Sequence, residues 1–236
     1  MEKTETLTDK QLEGAFKTFM KKRNEQADKK QQDDGEHLSS YPLLAWETCI
    51  TRFADAFESG KSDTKTVDAL CKCLNEYLVC WGMTRNSNLT REHYEEQEQV
   101  VRAILKFPKL CGKNPEDFCD EYGDAYRQLY DLYETLKGCC AKFSRAQEPK
   151  ASGTLISKTI LGTLGIVPGY DQKVRAVLKK YGITTGSFNM ETFKKFACYF
   201  TKHHVETIAT MTEEAQKLCP LYTRAKVIDS LLWFIG

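Results

Sequence analysis

Apolar residues in this chain recur three and four positions apart in segment after segment, and no stretch alternates with a period of two over strand length. That rhythm puts the apolar side chains on one face of a helix each time, and such faces are buried by packing helix on helix. Thr8 and Gln11 form a capping-box pair ahead of Leu12, Ala15, Phe16, Phe19 and Met20. Pro42 suits the first turn of a helix carrying Trp46, Ile50, Phe53, Ala54 and Phe57. Asp63 can cap the next, with Val67, Leu70, Cys71, Leu74, Leu78 and Trp81 as its stripe. A helix is expected from Thr90 to Phe107, then a loop from Pro108 to Pro115. Asn114-Pro115 should open a tyrosine-rich helix through Phe118, Tyr122, Tyr126, Leu129, Tyr133 and Leu136. Asn189 can cap a helix bearing Phe193, Phe196, Ala197, Phe200 and Val205, and a last helix follows Pro220 with Ile228, Leu231, Leu232, Trp233 and Phe234. The expectation is an all-α fold, a compact bundle of roughly eight or nine helices.

Residues 23–37 hold almost no apolar side chains, so they read as a linker or frayed helix end that sets an N-terminal helix and charged linker (1–37) apart from one all-α domain (38–236). No apolar run approaches the roughly 18 residues of a membrane span, and MEKTETLTDK is too polar for a signal peptide. A cytoplasmic protein with no membrane partner is expected. The ten cysteines sit mostly at apolar helical positions (Cys49, Cys71, Cys80, Cys198) and read as buried free thiols. Cys71-Lys72-Cys73 and Cys139-Cys140 lack zinc spacing, while adjacent His203 and His204 point about 100° apart on a helix. Neither a metal nor a cofactor is expected.

The stretch from Gly153 to Gly182 is the one that looks chosen for chemistry. It reads as a short apolar helix (Thr154 to Leu164), a tight turn (Gly165 to Gly169), and a second helix opening on Tyr170 and Asp171. Asp171 is then a helix-start carboxylate, with Lys173, Arg175, Lys179 and Lys180 behind it left for solvent or an anionic partner. From Lys142 to His204 eleven lysines and arginines oppose three acids, whereas from Glu92 to Leu136 five bases oppose eleven acids. A separation of that size makes one face attractive to a polyanion although the net charge is only +1. Lysines scattered over a solvated surface are the plainer explanation for each taken singly.

A second break falls at WGMTRNSNLTREHY, residues 81–94, where Trp81, Arg85, Asn86 and Asn88 offer an aromatic plane beside guanidinium and amide groups able to read a base edge. A core tryptophan followed by a capped loop explains the same residues without a ligand.

Ser157-Lys158-Thr159, an apolar helix, then Val167-Pro168-Gly169-Tyr170-Asp171 and a basic helix resemble the catalytic segment of helix-hairpin-helix DNA glycosylases. WGMTRNSN, GTLG-x3-PGYD and KVIDSLLWFIG also resemble a group of bacterial proteins. The glycosylase resemblance implies a cleft between two helical subdomains, double-stranded DNA as partner, a monomer, and excision of a damaged or modified base in repair or antiviral defence. It implies Asp171 as the essential acid and Lys158 in the position of the family's nucleophilic lysine. Trp81, Arg85, Asn86 and Tyr170 would form the base pocket, and Lys150, Lys173, Arg175 and Lys179 would hold the DNA backbone, within a basic helix-turn-helix segment spanning 150–204. Only Gly153 precedes Lys158 where the family has two glycines, and the interval to Asp171 is short, so attack by water is expected rather than by the amine. The other readings are a non-enzymatic helical DNA- or RNA-binding protein and a protein-interaction module.

Overall fold

The computed structural model describes residues 5–32, 41–84, 88–89, 93–144 and 151–236. Among these the chain forms ten α-helices joined by turns and short 3₁₀ segments, with no strand. The all-α expectation holds. The helices are α1 (Asp9–Gln32), α2 (Pro42–Ser59), α3 (Thr64–Cys80), α4 (Glu98–Ile104), α5 (Asp124–Cys140), α6 (Gly153–Thr163), α7 (Gln172–Lys180), α8 (Met190–His203), α9 (Val205–Gln216) and α10 (Arg224–Ile235).

Their ends follow from local chemistry. Pro42 begins α2, where a missing N–H costs nothing, and Asp63 accepts from the amides of Lys65 and Thr66 at the start of α3. Asn189 and Thr192 form a reciprocal capping box on α8, and the Thr223 hydroxyl accepts from the Lys226 amide on α10.

Several expected boundaries move. Residues 23–37 are not a linker throughout, because α1 continues to Gln32 and Arg23 makes a bidentate ion pair with Glu47 at 2.8–2.9 Å. Of the helix expected from Thr90 to Phe107, residues 90–92 lie outside the described residues, and the described part is a 3₁₀ turn at Tyr94–Gln97 followed by α4, which carries Val100, Val101 and Ile104. Asn114-Pro115 opens only the 3₁₀ turn Pro115–Phe118. The Asp120 carboxylate accepts the Tyr122 amide at 2.9 Å, turning the chain, and α5 starts after Gly123. The expected helix through Val205 is two, broken at His204, whose ring meets Asp9 Oδ1 at 2.7 Å.

The core is continuous. Buried side chains from Leu7 near the N-terminus to Leu232 near the C-terminus form one cluster. α6 runs through the middle, with every residue from Leu155 to Thr163 buried. It ends at Thr163, and just beyond it stands Gly165, whose φ of 73° lies where an L side chain is strained, and whose carbonyl accepts the Thr223 hydroxyl. The turn returns directly onto the start of α7.

Candidate functional site

Charged residues inside the core mark the site. Lys158 belongs to the buried helix α6 and is 1% exposed. Its Nζ lies 2.9 Å from Asp171 Oδ2 and 4.2 Å from the centre of the Trp81 ring. Asp171 caps α7 by accepting the Val174 amide at 3.0 Å through its other oxygen, Oδ1. The two residues singled out in the sequence are therefore partners.

A second buried pair stands beside the first. Lys226 and Asp229, one turn apart on α10, meet at 3.1 Å and are essentially unexposed. Lys226 Nζ lies 5.2 Å from the ring centres of both Trp46 and Trp81. Burial pushes the Lys226 ammonium below its ordinary pKa, with Asp229 opposing the shift. Asp229 also accepts the Gly169 amide at 2.8 Å, which ties α10 to the turn that carries Asp171. A Cβ at Gly169 would fall 2.6–2.7 Å from the Lys158 stem and amine, so any side chain there would have to displace Lys158 from its pairing with Asp171. Breaking one partner of such a pair is costly because it leaves an uncompensated charge in the interior.

Above this layer opens a pocket of about 600 Å³. Its walls include Trp81, Trp233, Phe234, Asp171, Ser230 and Lys22. The rings of Trp81 and Trp233 stand at 90° with centres 6.1 Å apart, and Lys173 Nζ sits 4.0 Å from the Trp233 ring centre. A volume of roughly 300–1,000 Å³ with aromatic walls and few polar groups is usual for a ligand site. The larger groove of about 740 Å³ between α2 and α3 is lined by mixed charges such as Arg52, Asp55, Lys65 and Glu76, with no aromatic wall.

The other expected site residues divide. Trp81 is in the pocket wall as α3 ends. Tyr170 is not a stacking wall: it is buried with no exposure, its ring against Phe188 and Phe196 and its hydroxyl donating to the Thr192 carbonyl at 3.3 Å. That environment raises its phenol pKa by desolvation. Asn88 does not present its amide to the pocket but donates from it to the Ser144 carbonyl at 3.1 Å, while its backbone N–H donates to Phe143 at 2.8 Å. Arg85, Asn86 and Lys150 lie outside the described residues. Lys173, Arg175 and Lys179 are exposed on α7 and have no acid partner among the described residues, whereas Lys180, Lys194 and Lys195 pair with Glu5, Glu121 and Glu191.

Sequence reading missed Lys226, Asp229, Ser230 and Trp233. A lysine and an aspartate three apart inside the apolar run of residues 225–235 were the available signal, since charges in such a run must pair to be buried. Among the described residues no group of three or more histidine, cysteine or acidic side chains could hold a metal ion, and no helix is long and apolar enough to cross a membrane. No family model, curated protein or solved structure matches the chain.

Proposed function

We propose that this chain is a DNA N-glycosylase that hydrolyses the bond between a damaged or modified base and its sugar. The observation carrying the proposal is Asp171: a carboxylate fixed at a helix start, lining an aromatic-walled pocket next to an exposed basic helix. A base extruded from the duplex fits a site of this kind, stacked on indole surface. Lys173, Arg175 and Lys179 are available for backbone phosphates.

In the reaction the C1′–N bond breaks with its electron pair on the departing base, and positive charge builds on the sugar. A fixed carboxylate stabilises that charge and accepts the proton of the water that forms the new C1′–O bond, while the base gains a proton from solvent. Lys158 acts by holding Asp171 Oδ2 through the ion pair. As a buried amine against Trp81, it is poorly disposed to attack a sugar itself, which favours water as the nucleophile.

A specific observation favours a second reading, a non-enzymatic DNA-binding protein. Both Asp171 oxygens already have partners within the chain, the Val174 amide and Lys158, as in a cap and ion pair that serve stability alone. Incubation with duplexes carrying modified bases separates the two. The enzyme leaves abasic sites that break in alkali, borohydride traps no adduct, and Asp171→Asn loses activity by orders of magnitude. Mobility shift without alkali-labile sites across the panel would establish the binder instead.

A further inference from the structure

We infer that Cys73 and Cys49 are a peroxide-reactive thiol pair, in which Cys73 is oxidised first and Cys49 then closes a disulfide between α2 and α3. Neither residue lines the Trp81 pocket. The setting is instead the groove between α2 and α3, where the fold brings the two cysteines side by side.

All ten cysteines are free thiols, and their surroundings differ. Helices α2 and α3 are joined by the short turn after Ser59, so they run antiparallel and pack together. Cys49 and Cys73 stand equally far along the chain from Lys61, one on each side of that turn, which puts them at the same level of the helix pair. Their thiols interact, with the Cys49 S–H as donor and the Cys73 sulfur as acceptor. Cys49 has no exposure, whereas Cys73 is half-buried and lines the groove of about 740 Å³.

The thiolate, not the thiol, is the nucleophile. Of the two cysteines Cys73 is placed to ionise, since it reaches the groove and the Arg52 guanidinium lines the same walls. The Cys49 hydrogen bond holds the Cys73 thiol below its ordinary pKa; burial and Glu76 oppose the shift and Arg52 assists it. Desolvation pushes Cys49 the other way. Cys71 on the same helix gives the contrast, for it is 2% exposed and burial pushes its thiol up to about 12. In the first step the Cys73 thiolate attacks one oxygen of hydrogen peroxide and the O–O bond breaks. Hydroxide leaves, takes up a proton to become water, and Cys73 becomes a sulfenic acid, oxidised by two electrons. The Cys49 sulfur then attacks the sulfenic sulfur, the S–O bond breaks, and the departing hydroxide takes the Cys49 proton as a second water. One peroxide and two thiols give one disulfide and two waters.

The test is a timed exposure of the whole folded chain to hydrogen peroxide, with free thiols alkylated at each time and the unreduced tryptic peptides mapped by mass spectrometry. Trypsin cuts after Lys72, so Cys71 and Cys73 fall in different peptides. The first disulfide to form should join Cys49 to Cys73, lower in mass by two hydrogen atoms and reversed by dithiothreitol, and Cys73 should be oxidised on the order of tenfold or more faster than Cys71. Cys49→Ala should halt the reaction at the sulfenic acid, which dimedone then labels at Cys73, and Cys73→Ala should lose both products. Melting by circular dichroism identifies a variant that fails to fold; the wild-type map then decides alone. Both thiols still free after peroxide has oxidised other cysteines, a first disulfide between other cysteines, or a wild-type Cys73 that stays as sulfenic acid without joining Cys49 would overturn the inference.

Discussion

At the scale of single residues, Asp171 and Lys158 cannot be assessed apart. Asn at position 171 can still accept the Val174 amide, so the cap is kept, but it leaves the 1% exposed Lys158 facing a neutral group. Removing one partner of a buried pair costs about 3–5 kcal/mol, and because Asp171 retains 23% side-chain exposure the lower end applies. Asp171→Asn should therefore destabilise by more than the roughly 0.5–2 kcal/mol of a lost cap. Adding Lys158→Met should restore much of the loss, since the buried charge goes with it. Urea denaturation of the single and double variants measures this; equal stability of the two would show that the pair carries no buried-charge penalty.

At the scale of elements, α6 is held by how closely its neighbours approach. A Cβ at Gly162 would sit 2.3 Å from Tyr77 Cε1 and 2.5 Å from Cδ1, inside a ring that has no exposure and nowhere to retreat. Gly162→Ala should cost about 1–3 kcal/mol or more by overpacking. A chemical denaturation midpoint unchanged from wild type would mean that α3 and α6 can separate freely.

Helix α3, which carries Trp81 at its end, depends on Asp63 at its start. The Thr66 hydroxyl and amide and the Lys65 amide hold the Asp63 carboxyl below its ordinary pKa of 3.8. A depressed native pKa means that the unfolded chain binds more protons in that range. The stabilisation is therefore complete above pH 3.8 and is lost as pH falls through the lower native value. Wild type should melt above Asp63→Ala at neutral pH, and thermal melts across the acid range should show this advantage shrinking. A gap independent of pH would remove the charged cap from the account.

At the scale of the whole molecule, the basic segment is less basic than its sequence. Lys158, Lys180, Lys194 and Lys195 are each paired with an acid, whereas Lys173, Arg175 and Lys179 stand together on α7, exposed and with no acid partner among the described residues. Reversing Lys173, Arg175 and Lys179 together to Glu should weaken duplex DNA binding for all sequences alike. Because each phosphate contact contributes roughly 0.9 to the slope of log affinity against log salt, that slope should become shallower by about 2–3. Fluorescence anisotropy over a salt series checks it, and an unchanged slope would move the DNA face elsewhere.

By itself the sequence determined the fold class and most helix starts, because apolar spacing and the capping residues Asp63, Asn189 and Asp171 act within one or two turns of chain. It also singled out Asp171 as an acid at a helix start and Trp81 as an aromatic at a break, while Lys158 came from the resemblance to the glycosylase segment. It could not show that Tyr170 turns into the core while Trp233 and Ser230 reach the pocket, since neighbouring positions differ there only in direction. Nor could it show that α1 continues as helix to Gln32 past the charged stretch, because the partner of Arg23 is Glu47 on another helix. The two lysine–aspartate pairs around Trp81 were decided by tertiary structure alone. Only when α6, α10 and the end of α3 close on one another do those charges leave water, and only then does each need the other.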